Sequence, residues 1–206
     1  MKYEIDGIYY DIVLERKKIK NLYIRFKDNI IYINSPFLIL EKEIYKVLDK
    51  NITSLKKMVE KDKRRKELTY LGEKIDIVVV SNLRKPYYSN RKLYVKNKNK
   101  IDEAYKIIAL PIFKERLDYI YKRFEESIPY PILKLRKMSS RWGVCNRKNN
   151  SVTLNTELIK WGVDFIDYVI VHELAHFVHF DHSASFWNVV SKYFPMYKEY
   201  RKKLRE

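Results

Sequence analysis

Alternating apolar and polar positions dominate the first part of the chain. They occur at residues 3–5, 8–14, 22–26 and 30–33. Successive side chains of a β-strand point to opposite faces, so this period of two predicts four strands, each with one buried face. Turn signals such as Asp6-Gly7 separate them, and a meander is the simplest arrangement.

The pattern then changes to a helical period. Apolar residues at positions 44, 47, 48, 52, 55, 58 and 59 keep the spacing of one amphipathic helix. Three more short strands are predicted at 68–71, 75–80 and 92–95, before the polar stretch 96–100. We therefore predict a β-rich N-terminal region with one helix over residues 1–100 and a second domain over residues 101–206.

The second domain mixes helices with a few strands. Residues 101–126 are helical by pattern, although Pro111 predicts a kink or a second helix start. Residues 151–155 alternate in polarity after the turn 146–150, which predicts a β-hairpin. A helix with apolar residues on several faces follows at 164–178, and another begins after Ser183. The predicted fold class is α+β.

All four histidines lie between His172 and His182, and this string opens with the pattern HExxH. On a helix His172 and His176 are one turn apart on one face, so their imidazoles can bind one metal ion. Glu173 lies off that stripe, which suits a general base that takes a proton from the water of a zinc site. His182 has the spacing of the third ligand in the pattern HExxHxxGxxH, where His179 replaces the glycine. These residues predict a zinc-dependent hydrolase.

The sequence leaves the roles of His179 and Cys145 open. His179 is a hydrogen-bond donor behind the ligands, a donor to the transition state, or a surface residue of the turn. Histidine also tolerates a left-handed backbone better than most side chains, as that turn would require. Cys145 is the only cysteine, which excludes an internal disulfide. A small buried apolar role is expected for it, with zinc ligation as the alternative.

Four segments carry a family resemblance. They are Ser140-Arg141-Trp142-Gly143 with Cys145, the pair Leu154-Asn155, residues Tyr168 to His176, and His182-Ser183 with Phe186-Trp187. Together they resemble the YgjP-like metallopeptidase family, whose relatives are the SprT/Spartan and WLM proteases. The resemblance implies a zincin-like C-terminal domain with an HExxH active-site helix beside a β-hairpin. It also implies a Zn²⁺ ion bound by His172, His176 and His182, Glu173 as catalytic base, and peptide or protein substrates.

The hairpin supplies two candidate contacts to substrate or transition state. The planar guanidinium of Arg141 suits a carboxylate, a phosphate or a developing oxyanion, and the alternative is a structural stack on Trp142. Asn155 is the second candidate. As a further hypothesis, residues 151–155 offer a strand edge along which an extended peptide pairs.

The charge adds a second class of partner. The chain has 43 Lys and Arg residues against 26 Asp and Glu, a formal charge of +17. Such a charge attracts polyanions, so weak, non-specific binding to nucleic acid or nucleotides is one hypothesis. A compositional bias of the coding sequence is the other, because the basic residues are scattered. The alternatives to a simple peptidase are a nucleotide phosphohydrolase (nucleoside triphosphate pyrophosphatase) and a nucleic-acid-associated protease.

Targeting signals are the last feature considered. The longest uncharged run, residues 29–40, is too short and too polar to cross a bilayer. No apolar stretch follows Met1-Lys2 as in a secretory signal. We therefore expect a cytoplasmic protein without a membrane partner.

Overall fold

The computed structural model describes residues 1–205, apart from the side chains of residues 64–66 and 205. The chain divides into two compact units, Met1–Glu67 and Leu68–Glu206. The sequence placed the boundary later, after Lys100. Residues 68–95 instead join the second unit because they pack on the helix that follows them; the hydroxyl of Tyr105, for example, donates to the Thr69 carbonyl at 2.9 Å.

The first unit has a four-stranded sheet that is not a meander. Its strands are β1 (Lys2–Ile5), β2 (Ile8–Arg16), β3 (Tyr23–Lys27) and β4 (Ile30–Ser35). The spatial order is β1-β2-β4-β3, with β4 parallel to β2 and antiparallel to β3. The meander prediction was wrong because β4, with Ile31 and Ile33 buried, takes the central position, whereas β3 has no buried side chain and lies at the edge.

The helical pattern of the first unit corresponds to two helices, not one. They are α1 (Glu41–Lys50) and α2 (Ile52–Lys66). Asn51 separates them with φ −107° and ψ 18°, and its side-chain amide donates to the Val47 carbonyl at 2.8 Å. The buried face was predicted correctly, because Ile44, Leu48, Leu55 and Val59 all pack in the core of this unit.

Short strands begin the second unit. The pair β5 (Thr69–Tyr70) and β6 (Glu73–Lys74) is followed by a sheet of β7 (Asp76–Val79), β8 (Tyr87–Ser89) and β9 (Lys92–Val95), in the order β7-β9-β8. Sequence analysis missed β8, because three residues are too few to show a period of two. The turn Asn90-Arg91, with positive φ at both residues, joins β8 to β9.

The rest of the second unit combines helices with a small sheet. Helix α3 (Ile101–Tyr121) continues through Pro111 as one helix and precedes β10 (Ile132–Arg136), β11 (Gly143–Asn146) and β12 (Ser151–Asn155). Helices α4 (Val163–Val178), α5 (Ala184–Tyr193) and α6 (Tyr197–Arg205) complete the chain. The strands of both units and these helices make an α+β protein.

The predicted hairpin is present as β11 and β12, which pair antiparallel. However, the sheet order is β10-β12-β11, so β12 has a partner on each side. Residues 151–155 therefore do not offer a free strand edge, contrary to the expectation from sequence. The edge strand on the hairpin side is β11.

The core of the second unit lies between this sheet and helices α3 and α4. Ile166, Ile170 and Leu174 of α4 are fully buried, in one cluster with Val152 and Leu154 of β12. Among the described residues, no helix combines the length and the apolar character that crossing a bilayer requires.

Candidate metal centre

Helix α4 places the first two histidines of the string, and its end sets the path to the third. The helix stops at Val178 because His179 adopts an extended backbone, with φ −123° and ψ 121°. This differs from the left-handed turn considered in the sequence analysis. Ser183 is also extended and is the N-cap residue of α5. His182 therefore lies in a short connection between two helices.

Three imidazoles converge at this connection. One nitrogen from each of His172, His176 and His182 lies within 4.8 Å of the others. The Nε2 atoms of His172 and His182 are 3.2 Å apart. Nitrogens on a tetrahedron with zinc–nitrogen bonds of 2.0–2.1 Å are separated by about 3.3 Å, so this spacing fits a zinc ion.

The protonation of these histidines also suits a metal ion. Burial lowers the pKa of His172 to about 3, and the neighbouring His176, His182 and Arg201 add to the effect. Burial also lowers the pKa of His176. Metal ions bind the neutral imidazole, so the lowered pKa values of His172 and His176 favour their ligand form at neutral pH.

The ring of His176 is oriented by a hydrogen bond to the main chain. The Nδ1–H of His176 donates to the His179 carbonyl at 3.3 Å, which leaves Nε2 of His176 as the ligand atom. His179 thus contacts a candidate ligand through its main-chain carbonyl. The Nδ1 atom of His172 is buried and has no hydrogen-bond partner among the described residues.

The side chain of Glu173 lies against Gly143 of strand β11. Its side chain is only 4% exposed, and the main-chain N–H of Cys145 donates to its carboxylate. Burial raises the pKa of Glu173 to about 8, while the Cys145 N–H and the positive charge of Arg141 act in the opposite direction. A carboxyl group with a pKa close to neutrality can both accept and release a proton.

Gly143 makes this close approach possible. A Cβ atom at residue 143 would overlap Oε1 of Glu173 and would lie 2.6 Å from its Cγ and 2.7 Å from its Cδ. Any larger residue would therefore displace the carboxylate. Sequence reasoning missed this role, although a glycine within a strand is a known signal of close approach by a neighbouring group.

Asn155 has a different role from the predicted contact with substrate. It is 3% exposed, and its side-chain oxygen accepts from the N–H groups of Met138 and Glu157 at 3.2 and 3.1 Å. Its amide nitrogen donates to the carbonyls of Met138 and Arg141, both at 2.8 Å. Three of these four hydrogen bonds hold the segment 138–141, and the fourth binds the N–H of Glu157.

The other residues of the hairpin are placed as follows. Arg141 is exposed, and among the described residues its guanidinium is not stacked on the ring of Trp142. Trp142 instead packs edge-on against Trp161 and donates from Nε1 to the Leu204 carbonyl at 2.9 Å. Burial raises the pKa of the Cys145 thiol to about 12, which disfavours the thiolate that zinc ligation requires.

Comparisons with known proteins identify a family. The family model described as YgjP-like, metallopeptidase domain, matches residues 20–206. Two solved structures are similar to the chain: the metallopeptidase zymogens abylysin of Pyrococcus abyssi, with 24% identity and a TM-score of 0.41, and jannalysin of Methanocaldococcus jannaschii, with 23% and 0.38. Each match covers 45% of this chain, and 90% and 92% of abylysin and jannalysin respectively. No curated protein sequence matches the chain.

Proposed function

Because the chain belongs to the YgjP-like metallopeptidase family, we propose that it is a zinc-dependent peptidase with a zincin-like site on helix α4. The observation that carries this proposal is the convergence of three imidazole nitrogens within 4.8 Å at helix α4, which also carries the buried Glu173. His172, His176 and His182 would hold the ion. Three protein ligands leave one tetrahedral position open, as in catalytic zinc sites.

The ion and the residues around it would have different chemical roles. When bound, zinc supplies a Lewis acid that polarises a carbonyl group and makes water more acidic. Glu173 accepts a proton on its carboxylate and later donates it to the leaving amine, since its raised pKa allows both steps. The Cys145 N–H fixes the carboxylate, and Arg141 favours its ionised, proton-accepting form.

Strand β11 is the element along which we expect the substrate to bind. It lies at the edge of its sheet, whereas β12 is central. An extended peptide can add to such an edge through main-chain hydrogen bonds. Since Gly143 and Cys145 of β11 contact Glu173, a peptide paired with this strand would pass close to the carboxylate. Arg141, just before β11, is then a candidate contact for a substrate carboxylate or a developing oxyanion.

Family membership favours a peptide bond over a nucleotide phosphate as the substrate. The charge of +17 suggested nucleotide or nucleic-acid partners from the sequence alone. Basic residues are distributed over both compact units, from Lys17, Lys18 and Lys20 to Lys202 and Lys203. We therefore do not propose a phosphohydrolase activity or an association with nucleic acid.

The test is a screen of the zinc-loaded protein, with Glu173→Gln as the decisive variant. Wild type should cleave unfolded proteins or peptides and leave nucleoside triphosphates intact. Glu173→Gln should keep one zinc and the fold but lose turnover, because it removes proton transfer without changing the ligands. The matched control Glu115→Gln changes an exposed glutamate on α3 and should be as active as wild type.

Two outcomes would contradict the proposal. One is turnover by Glu173→Gln within a few fold of the wild-type rate. The other is hydrolysis of nucleoside triphosphates without cleavage of any polypeptide. The ligand set is tested separately by metal analysis: His176→Ala and His182→Ala should lose zinc affinity to a similar extent, whereas His179→Ala should keep it, because only the main chain of His179 contacts a ligand.

A further inference from the structure

His182 is the candidate ligand with the least local support. It is exposed and lies outside helix α4, in the connection before α5. Among the described residues, its only hydrogen-bonding contact joins its Nε2 to Nε2 of His172. Histidines that bind metals usually donate their second ring nitrogen to a carboxylate or carbonyl, which fixes the ring. Here another interaction must fix the ring of His182.

That interaction is the packing of the His182 ring against aromatic side chains of helix α5. The ring of His182 lies almost parallel to that of Trp187, with centroids 5.6 Å apart and an interplanar angle of 22°. Phe186 contacts His182 edge-on, at 4.8 Å and 77°. Offset stacking of this kind restricts both the tilt and the position of a ring. Trp187 thus limits where the imidazole of His182 can point.

Helix α6 in turn holds Trp187. Tyr197 stacks on the indole at 5.0 Å with an angle of 15°, and the guanidinium carbon of Arg201 lies 4.5 Å from its centroid. The helix itself is anchored, because the Leu204 carbonyl accepts from Nε1 of Trp142 at 2.9 Å. A continuous series of contacts therefore joins α6 to the candidate third ligand.

We propose that Tyr197 and Arg201 are positioning residues for the zinc ligand His182, acting through Trp187. The inference rests on the metal site of the proposed function and assigns to α6 a role in that site. The physical reason is that an exposed imidazole on a short connection loses rotational freedom when it binds a metal. The stack restricts that freedom in advance, so zinc binds with a smaller entropic cost.

Zinc affinity, measured by competition with a chromophoric chelator on the folded protein, tests this role. Trp187→Leu should weaken zinc binding by about tenfold to a hundredfold, the range found when groups that orient a ligand are removed. Trp187→Phe keeps an aromatic face and should stay within about threefold of wild type. Arg201→Met keeps the length of the side chain but loses the charge over the ring, and should weaken binding by about threefold to tenfold.

The matched control is Lys202→Met, which removes one positive charge from the same helix at an exposed position. It should leave zinc affinity within about twofold of wild type, because it has no contact with the stack. The absorption spectrum of the cobalt-substituted protein gives a second readout. Arg201→Met and Trp187→Leu should change the ligand-field bands of the bound cobalt, whereas a purely structural role would change only the melting temperature.

Wild-type zinc affinity in folded Trp187→Leu would overturn the inference, as would equal effects of Arg201→Met and Lys202→Met. If Trp187→Leu does not fold, the zinc affinities of Arg201→Met and Tyr197→Leu test the inference instead, and wild-type affinity in both would overturn it. Failure of the proposed metal site is a separate result, since wild-type protein would then bind no zinc. A wild type that binds zinc with variants that bind it equally well rejects only the positioning role.

Discussion

Replacement of Gly143 by alanine is the most informative single change, because it perturbs the proposed base without touching a ligand. The new Cβ atom would lie 2.6 Å from Cγ of Glu173, about 0.8 Å closer than the 3.4 Å at which ordinary contacts begin. Its overlap with Oε1 would be larger still. Since Glu173 is 4% exposed, the surrounding core leaves its side chain little room to move aside.

The expected loss of activity follows from this displacement. A shift of about 1 Å in a catalytic group costs roughly a hundredfold in rate, so kcat/KM should fall by about that factor. Overpacking a core by one methyl group destabilises a protein by about 1–3 kcal/mol, so the melting temperature should fall as well. Gly143 is outside the left-handed backbone region, so alanine adds no backbone strain. The zinc content should not change, because the nearest neighbours of the new Cβ atom all belong to Glu173 and not to a histidine.

The assay compares kcat/KM for a peptide substrate, bound zinc and thermal unfolding in Gly143→Ala and Gly162→Ala. The second variant is a matched control, because a Cβ atom at residue 162 has no neighbour within 4 Å. It should retain wild-type activity. The reasoning is refuted if Gly143→Ala keeps kcat/KM within a few fold of wild type, or if Gly162→Ala loses as much activity.

Three further predictions follow from other contacts. Asn155→Ala removes the hydrogen bonds that hold segment 138–141, so the free energy of unfolding should fall by about 2–4 kcal/mol. The value of kcat should decrease while zinc stays bound. Denaturant titration measures the stability, and metal analysis measures the zinc content. Arg116 forms a two-bond ion pair with Asp167, at 2.7 and 2.6 Å, that joins α3 to α4. A double-mutant cycle with Arg116→Met and Asp167→Asn should give a coupling of about 1–2 kcal/mol, and a value near zero would contradict it. In the metal-free folded protein the pKa of His172 is lowered to about 3, whereas in the unfolded chain it is about 6.5. Between these two pH values the unfolded chain binds a proton at His172 that the folded protein does not bind. The free energy of unfolding should therefore decrease as the pH falls from about 6.5 toward 3. Denaturant unfolding at pH 7.5 and 5 measures this, and a His172→Leu variant should show a smaller pH dependence.

The elements of the fold were predictable where a local period reports which face is buried. Strands over residues 143–146 and 151–155 pair antiparallel, and the helix predicted over residues 164–178 corresponds to α4 at 163–178. The order of strands was not predictable in the same way. A period of two identifies the buried face of β4 but not its neighbours, so nothing local indicated that β4 inserts between β2 and β3.

The break at Asn51 has a similar explanation. Apolar positions on either side of it keep one continuous spacing, and both sets are buried in the same cluster. The spacing therefore reports the common buried face but not the interruption. The side chain of Asn51 caps α1 through a hydrogen bond to Val47, a local competition for main-chain groups that a hydrophobic pattern does not contain.

Some features of the candidate site depend on residues close in sequence, and others depend on contacts between distant segments. The spacing of His172 and His176 is a property of one helix turn, so the sequence alone predicts that they share a face. Contacts between distant segments are different. The approach of Gly143 to Glu173 joins residues thirty positions apart, and the hydrogen bonds of Asn155 are formed with two other segments. Only the folded chain reveals these.

Different elements of the fold carry the different parts of the candidate site. The proposed ligands belong to α4 and its C-terminal connection, the surroundings of the proposed base to β11, and the side chains that contact His182 and Trp187 to α5 and α6. Because these are separate elements, metal affinity and proton transfer should be separable by mutation. Changes in β11 should alter turnover at constant zinc content, and changes in α6 should alter zinc affinity while Glu173 stays in place. A variant of β11 that loses zinc before it loses turnover would show that the two functions are coupled through the core of the second unit.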